Sequence, residues 1–339
     1  MTLIMAALDG AASKTVPALP DQELPAFVAD RLNSWDVIRR VTTMFGRQVA
    51  RRLYTIAYDT PHWRVGWRQT GPDLFDLGSR PEHGWRALPD DGSRFYADPF
   101  PIDYRGAVTL FVEDFSHSTQ KGIISAVTFG ADGPIGRPEP VLERDYHLSY
   151  PFVFEQDGEV WMIPESCAAR SIDLYRATAF PAGWVKDSTL VANIVASDAT
   201  VQKIRDRWWM FATVRDEGGD HSDTLHLWSA EDFRGPWIAH ARNPVLIDIA
   251  SARPAGRLTE RDGAIFRPVQ DCRYGYGQAL AIARITKLDD EGFEQTIEAR
   301  MQAGPHWRGS RLHTLNGAGG FEFIDGSGRS RNRLLPGRS

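Results

Sequence analysis

Apolar and polar positions along the chain fall into two regimes. Between residues 34 and 57 the apolar side chains Trp35, Ile38, Val41, Phe45 and Val49 recur at spacings of three and four, the period of a helix with one apolar face. Ser34 stands where an N-cap hydroxyl closes a first turn. From about residue 60 that period is lost. Apolar and aromatic runs of five to eight residues alternate with Gly, Asp and Pro, the pattern of short strands joined by turns.

The strand pattern repeats. Each repeat has an anchor, a turn and a second strand: Ala97-Asp98-Pro99-Phe100 with Gly106 and Val108–Asp114; Ser149-Tyr150-Pro151-Phe152 with Gly158 and Glu159–Ser166; Ser197-Asp198-Ala199-Thr200 with Asp206 and Arg207–Val214. Ala252-Arg253-Pro254-Ala255 with Gly263 and Ala264–Asp271, and the weaker Leu312-His313-Thr314 with Gly319-Gly320 and Phe321–Asp325, complete the series. The anchors at 98, 150, 198, 253 and 313 are 52, 48, 55 and 60 residues apart. Third strands follow over Ser171–Ala177, Thr224–Glu231 and Gln278–Leu288. A unit of about 50 residues holding three or four strands is one propeller blade. The reading is therefore an all-β, five-bladed β-propeller with an N-terminal helical extension. Trp63–Gln69 precedes the first blade and is expected to complete the last one, leaving no free sheet edge. The predicted boundaries are a loose tail over 1–20, the helical extension over 21–58, the propeller over 59–326 and a disordered tail over 327–339.

Composition narrows the function classes. The chain has 339 residues, with 39 Lys+Arg against 44 Asp+Glu and a net charge of -5, so nucleic acid is not expected as a partner. Hydrophobic residues at 42% exclude a disordered chain, and 2 Cys cannot build a disulfide framework. No apolar run reaches the roughly 18 residues that a transmembrane helix needs. The opening MTLIMAALDGAASKTVPALP lacks a basic n-region and contains Asp9, so it is a poor signal peptide and the expected location is the cytoplasm. Arg39, Arg40, Arg47, Arg51 and Arg52 make the helix basic, suited to a solvated face, a membrane surface or a protein partner docking on residues 34–57.

Candidate chemistry follows from the blades, because the start of each inner strand faces one mouth of the channel. Four of the five anchors (Asp98, Asp198, Arg253 and His313) are charged or titratable, and Tyr150 is the fifth. Ends of the second strands add Glu113, Asp114, Glu165, Gln270 and Asp271, with Glu113 and Glu165 each 15 residues past an anchor. Carboxyl groups crowded together push their pKa values apart, which gives one acid and one base. Glycoside hydrolysis needs that division. Aromatic faces bind sugar rings, and Phe95, Tyr96, Trp161, Trp208, Trp209, Trp237 and Trp307 are the candidates. His147 precedes the second anchor and, like His313, is suited to a substrate hydroxyl or a channel ion. No zinc-type ligand spacing occurs. No cofactor is expected, and a calcium ion in the channel is compatible with the pattern without being required by it. Cys167 and Cys272 occupy matching blade positions and read as buried structural thiols.

The strings FYADPFPID, HLSYPFVFEQDGEVWMIPES, SDATV with RWWMFAT, GPWIAHARNPV, ARPAG and RPVQDC, kept in order over about residues 60–300, resemble the β-propeller domain at the N-terminus of plant glucosamine inositolphosphorylceramide transferase. Related bacterial proteins carry that domain alone or fused to formyltransferase-like domains. The resemblance implies a five-bladed propeller akin to glycoside hydrolase families 43 and 32. In that wider group a first-blade Asp is base or nucleophile, which Asp98 matches. A second Asp at the start of the third blade contacts the sugar, which Asp198 matches. The group's general acid is a fourth-blade Glu; Arg253 and Gln270 stand nearest that place, and Glu165 is the substitute acid. No glycosyltransferase region follows the propeller, so transferase activity is not expected. A glycosidase-like enzyme is weighed against a glycan-binding module that assists a separate glycosyltransferase. Asp98, Glu165 and Asp198 are the candidate catalytic residues. Tyr96, His147, Tyr150, Trp209, Arg253, Gln270 and His313 are the candidate glycan contacts.

Overall fold

The computed structural model describes residues 61–70, 84–215, 219–303 and 310–328. Beyond these it describes Trp35, Ile38, Arg39, Val41–Met44 and two short strands, Tyr58–Asp59 and Ser330–Arg331. The expected N-terminal tail, the expected C-terminal tail apart from Ser327, Gly328, Ser330 and Arg331, Trp307 and the other helix residues lie outside the described residues. The chain divides into two compact units, Met1–Thr60 with Arg329–Ser339, and Pro61–Gly328. In the first unit the described residues between Trp35 and Met44 are helical, with Trp35, Ile38, Val41 and Met44 exposed, and Tyr58–Asp59 pairs antiparallel with Ser330–Arg331. No helix among the described residues is long and apolar enough to cross a membrane.

The second unit is a five-bladed propeller of antiparallel sheets. Blade 1 runs Arg94–Tyr104, Ala107–Ser116, Lys121–Gly130 and Gly133–Pro134 from inner to outer strand, with Glu139–Leu142 also on the third strand. Blade 2 is Ser149–Gln156, Glu159–Glu165, Ser171–Ala179 and Ala182–Ala192. Blade 3 is Ala196–Ile204, Arg207–Val214, Thr224–Ala230 and Ile238–Ala239, and blade 4 is Thr259–Arg261, Ala264–Asp271, Ala279–Asp289 and Gly292–Gln302. Blade 5 takes Thr314–Ala318 and Phe321–Ser327 from the end of the chain and Trp63–Gln69 with Arg86–Ala87 from its beginning. The expected ring closure is thus present, with Trp63 opposite Ser327 and Gln69 opposite Phe321.

Local sequence explains both hairpins and faces. Each inner strand returns through a two-residue turn, and Arg105-Gly106, Asp157-Gly158, Asp262-Gly263 and Gly319-Gly320 all have positive φ at both positions. That backbone matches the twist of the flanking strands. Inner strands pack on both faces, so Arg94–Tyr104 and Ser149–Gln156 are buried almost throughout. The outer strand Gly292–Gln302 alternates half-buried Phe293, Gln295, Ile297, Ala299 and Met301 with exposed partners. Between the blades the core is aromatic, with Phe100, Phe152, Trp161, Trp208 and Phe233 in one cluster.

Candidate functional site

Three inner strands bulge at the same place. In blade 1, Ala97 pairs with Glu113 and Phe100 with Phe111, so Asp98 and Pro99 face one residue on the partner strand. Blade 2 repeats this around Tyr150, with Glu165 opposite Ser149 and Ile163 opposite Phe152, and blade 3 around Asp198, with Ser197 opposite Thr213 and Thr200 opposite Phe211. Asp98, Tyr150 and Asp198 have left-handed backbone, with φ of 49, 42 and 57°. Side chains other than Gly rarely take that conformation, and a bulge there re-aims the side chain.

Carboxylates from the preceding blade hold these bulges. Asp98 N–H donates to Asp325 Oδ2 at 2.8 Å, Tyr150 N–H to Asp98 Oδ2 at 3.1 Å, and Asp198 N–H to Glu165 Oε2 at 3.1 Å. Charge-assisted bonds of this kind are strong and stabilise the strained residues. Asp98 Oδ1 also accepts the Thr314 hydroxyl at 3.1 Å and lies 3.4 Å from His313 Nε2. His313 Nδ1 meets Asp325 Oδ1 at 2.6 Å, and its ring stacks on Trp63 with centroids 4.1 Å apart.

On the far side of the ring, Asp198 Oδ2 accepts Arg253 Nε at 2.6 Å and Gln270 Nε2 at 3.1 Å. Arg253 also donates to the His221 carbonyl at 3.0 Å and lies 3.8 Å from Glu165. Its guanidinium sits 4.8 Å from the centroid of Tyr276, a partly exposed ring above the buried charges. The centre therefore gathers Asp98, Glu113, Glu165, Asp198 and Asp325 around Arg253 and His313.

The protonation of these groups is divided. Burial raises Asp98 to about 6, with Asp325 and Asp198 adding to the rise and His313 opposing it. Burial raises Asp198 to about 7 against the pull of Arg253, with Glu165 adding to the rise. Burial and the charges of Asp98, Glu165 and Asp325 push Glu113 well above the usual carboxylate range. Burial lowers His313, but Asp325 and Asp98 outweigh it and the net direction is up. Asp98, His313 and Asp325 offer three ligand atoms within 4.8 Å of one another, the one such group among the described residues. An oxygen-rich pair with one imidazole suits a divalent cation, and a protonated His313 between the two carboxylates balances the same charge.

Most sequence-predicted residues meet here, and some do not. Asp98, Glu165, Asp198, Arg253, Gln270 and His313 join the ring. His147 stands at its edge, with Nε2 3.3 Å from Glu113 Oε1 and the side chain 41% exposed. Tyr96 does not reach the ring; it packs with Val65, Trp67 and Leu88. Tyr150 is fully buried, its hydroxyl paired with Thr200 Oγ1 and accepting Gly256 N–H, both at 2.9 Å, so it bridges blades 2, 3 and 4 rather than facing a ligand. Trp209 is buried with Phe211, Leu225 and Leu258 on the side of its strand that packs against blade 4. Trp161 and Trp208 are core residues. Asp114 turns to Arg94 and Ser125, and Asp271 to Arg273 and Arg300, away from the other carboxylates. Sequence reasoning missed Asp325, Thr314 and Tyr276. Both thiols are free and burial raises them; Cys272 is buried as expected, whereas Cys167 is half-buried. A cleft of about 520 Å³ lies at the turn end of blade 4, lined by Thr259, Arg261 and Phe266, away from the bulged ends.

Known proteins resemble this chain in sequence or in fold. Residues 88–319 match the family described as glucosamine inositolphosphorylceramide transferase 1, N-terminal. Glucosamine inositolphosphorylceramide transferase 1 of Oryza sativa subsp. japonica is 32% identical over 272 residues, which cover 74% of this chain and 36% of that protein. Its namesake in Arabidopsis thaliana is 30% identical over 230 residues, covering 65% of this chain and 30% of that protein. The chain thus spans about a third of the length of these relatives. Among solved structures, a family 117 glycoside hydrolase of the marine bacterium Zobellia galactanivorans superposes with a TM-score of 0.50 at 11% identity, over 78% of this chain and 90% of that one. A family 43 β-1,3-galactosidase also gives 0.50, at 10% identity over 70% of this chain and 57% of that one. These two likenesses concern the fold.

Proposed function

The chain belongs to the family of the N-terminal region of glucosamine inositolphosphorylceramide transferase 1, and from that premise we propose a carbohydrate-active propeller whose central carboxylates handle a glycan or glycoconjugate by glycosidase-type chemistry. One observation carries the reading. Asp98, Glu113, Glu165, Asp198 and Asp325 converge from blades 1, 2, 3 and 5 on one centre, where burial raises Asp98 to about 6 and Glu113 well above the usual carboxylate range. Such a pairing of an ionised carboxylate with a protonated carboxyl is what cleavage of a glycosidic bond requires.

Asp98 is the base or nucleophile at the anomeric carbon. Asp198, held by Arg253 and Gln270, orients sugar hydroxyls. Tyr276 offers an aromatic face at the rim. The test is a screen of aryl glycosides, furanosides included, with Asp98→Asn as control. Turnover lost in the variant supports the reading, and turnover equal in both proteins sinks it.

A second reading has its own support. Asp98 and Asp198 are bonded within the ring, and Arg253 and Gln270 stand where the fourth blade would supply an acid. A glycan-binding module that serves a separate glycosyltransferase fits that arrangement. Binding on a glycan array without product formation distinguishes it from the first.

A further inference from the structure

We propose that Glu113 is the proton donor of the central site and that His147 positions it, an inference that rests on the glycosidase-type reading above. The equivalent Glu165 is committed elsewhere. Its carboxylate accepts Asp198 N–H at 3.1 Å and the Cys167 thiol at 3.4 Å, and it faces the Arg253 guanidinium at 3.8 Å. The Asp198 N–H, the thiol and the guanidinium thus engage Glu165 as an acceptor.

Glu113 holds the same register one blade earlier, opposite Ala97 as Glu165 is opposite Ser149. Its surroundings differ. Burial disfavours its ionisation most, and the charges of Asp98 from the inner strand, Glu165 from blade 2 and Asp325 from blade 5 add to the effect. The side chain is 10% exposed, so water does little to solvate a charge there. Among the described residues its polar neighbour is His147, with Nε2 3.3 Å from Oε1. Nδ1 of that ring accepts the Gly122 N–H at 2.9 Å, so in the neutral imidazole the proton sits on Nε2, the nitrogen on the Glu113 side. Burial lowers the basicity of His147, which keeps it neutral. Oε1 is the oxygen on the His147 side, and the Glu113 carboxyl carries the acid proton.

The approach depends on a missing side chain. A Cβ on Gly122 would lie 2.6 Å from the Leu148 carbonyl oxygen, 2.7 Å from His147 Cε1 and 3.0 Å from Glu113 Oε1. Gly122 has no need of glycine's φ freedom, and it leaves the space in which the two side chains meet.

The step balances without any further reagent than water. The Glu113 carboxyl proton passes to the glycosidic oxygen as the bond from that oxygen to the anomeric carbon breaks with its electron pair. Water adds its oxygen to that carbon and gives a proton to Asp98. Glu113 is left as carboxylate and Asp98 as acid. Exchange with solvent restores both, past the 41% exposed His147 on the Glu113 side.

Leaving groups separate an acid from a structural carboxyl. Glu113→Gln and Glu165→Gln are compared with wild type on two glycosides of the sugar that wild type turns over best. One carries a phenyl leaving group, which needs a proton, and the other a dinitrophenyl group, which does not. Glu113→Gln is expected to lose about 10²-fold or more in kcat/KM on the phenyl glycoside, and less than about tenfold on the dinitrophenyl one. The basic limb of its pH profile should vanish. Partial unfolding would lower both substrates alike, so the ratio is immune to it. His147→Ala should displace the basic limb, whereas a purely structural histidine would leave the limb in place. Equal losses on both substrates in Glu113→Gln, or the selective loss in Glu165→Gln, overturn this assignment alone. A wild type inert on every glycoside overturns the glycosidase-type reading together with it.

Discussion

Asp198→Asn isolates one ring carboxyl. Asn tolerates the left-handed backbone at this position, and its amide oxygen can still accept Arg253 Nε. What is lost is titration. In the folded protein the Asp198 carboxyl ionises at about 7, against an ordinary 3.8 in the unfolded chain. Folded protein therefore keeps a proton that unfolded protein has released. Stability from this group is full below the unfolded value and is lost as pH rises through the folded one. A rise of about 3 pH units at about 1.4 kcal/mol each amounts to about 4 kcal/mol. Urea unfolding of wild type and Asp198→Asn, from about pH 4 to about pH 8, reads this directly. The stability of wild type relative to the variant should fall by about 4 kcal/mol across that window. Parallel curves, with a constant difference between the two proteins, would refute the reasoning.

Three further substitutions test other parts of the account. Arg253→Met removes the cation shared by Asp198 and Glu165 and should cost about 3–5 kcal/mol at neutral pH, shrinking in denaturant titrations toward acid as Asp198 takes up a proton. Trp209→Ala should destabilise the fold by about 3–5 kcal/mol while leaving saccharide affinity of the folded protein unchanged in calorimetric titration, since Trp209 lies in blade packing. Gly122→Ala forces a methyl against the Leu148 carbonyl, and should cost about 1–3 kcal/mol and shift the His147 ring signals in NMR spectra.

The repeat spacing made much of the fold legible. Anchors and turns at fixed offsets located the hairpins, and the strand character of Trp63–Gln69 placed the closing strand. Six of the ten candidate site residues converge, because anchors recur at the mouth whatever the intervening sequence does. The misses have physical causes. Glu113 and Asp114 are neighbours on an unbroken strand, so alternation sends them to opposite faces and only Glu113 joins the ring, a choice the sequence pattern alone did not make. Asp325 lies 12 residues past its anchor rather than 15, so the offset that paired Glu113 with Glu165 passed over it. Trp209 sits in an unbroken apolar run, Trp208-Trp209-Met210-Phe211, where periodicity cannot choose between the faces. Tyr150 shares the anchor position of Asp98 and Asp198, but its longer side chain crosses to Thr200 and Gly256 and is covered there.

The central claim is that a saccharide occupies the ring of carboxylates. A crystal structure of Asp98→Asn with a bound saccharide that wild type recognises tests it most directly. The account predicts the sugar between residue 98 and Glu113, with the anomeric carbon about 3–4 Å from the residue 98 side chain, the separation of a reactive pose. A saccharide seated instead in the blade 4 cleft, against Thr259, Arg261 and Phe266, would contradict it.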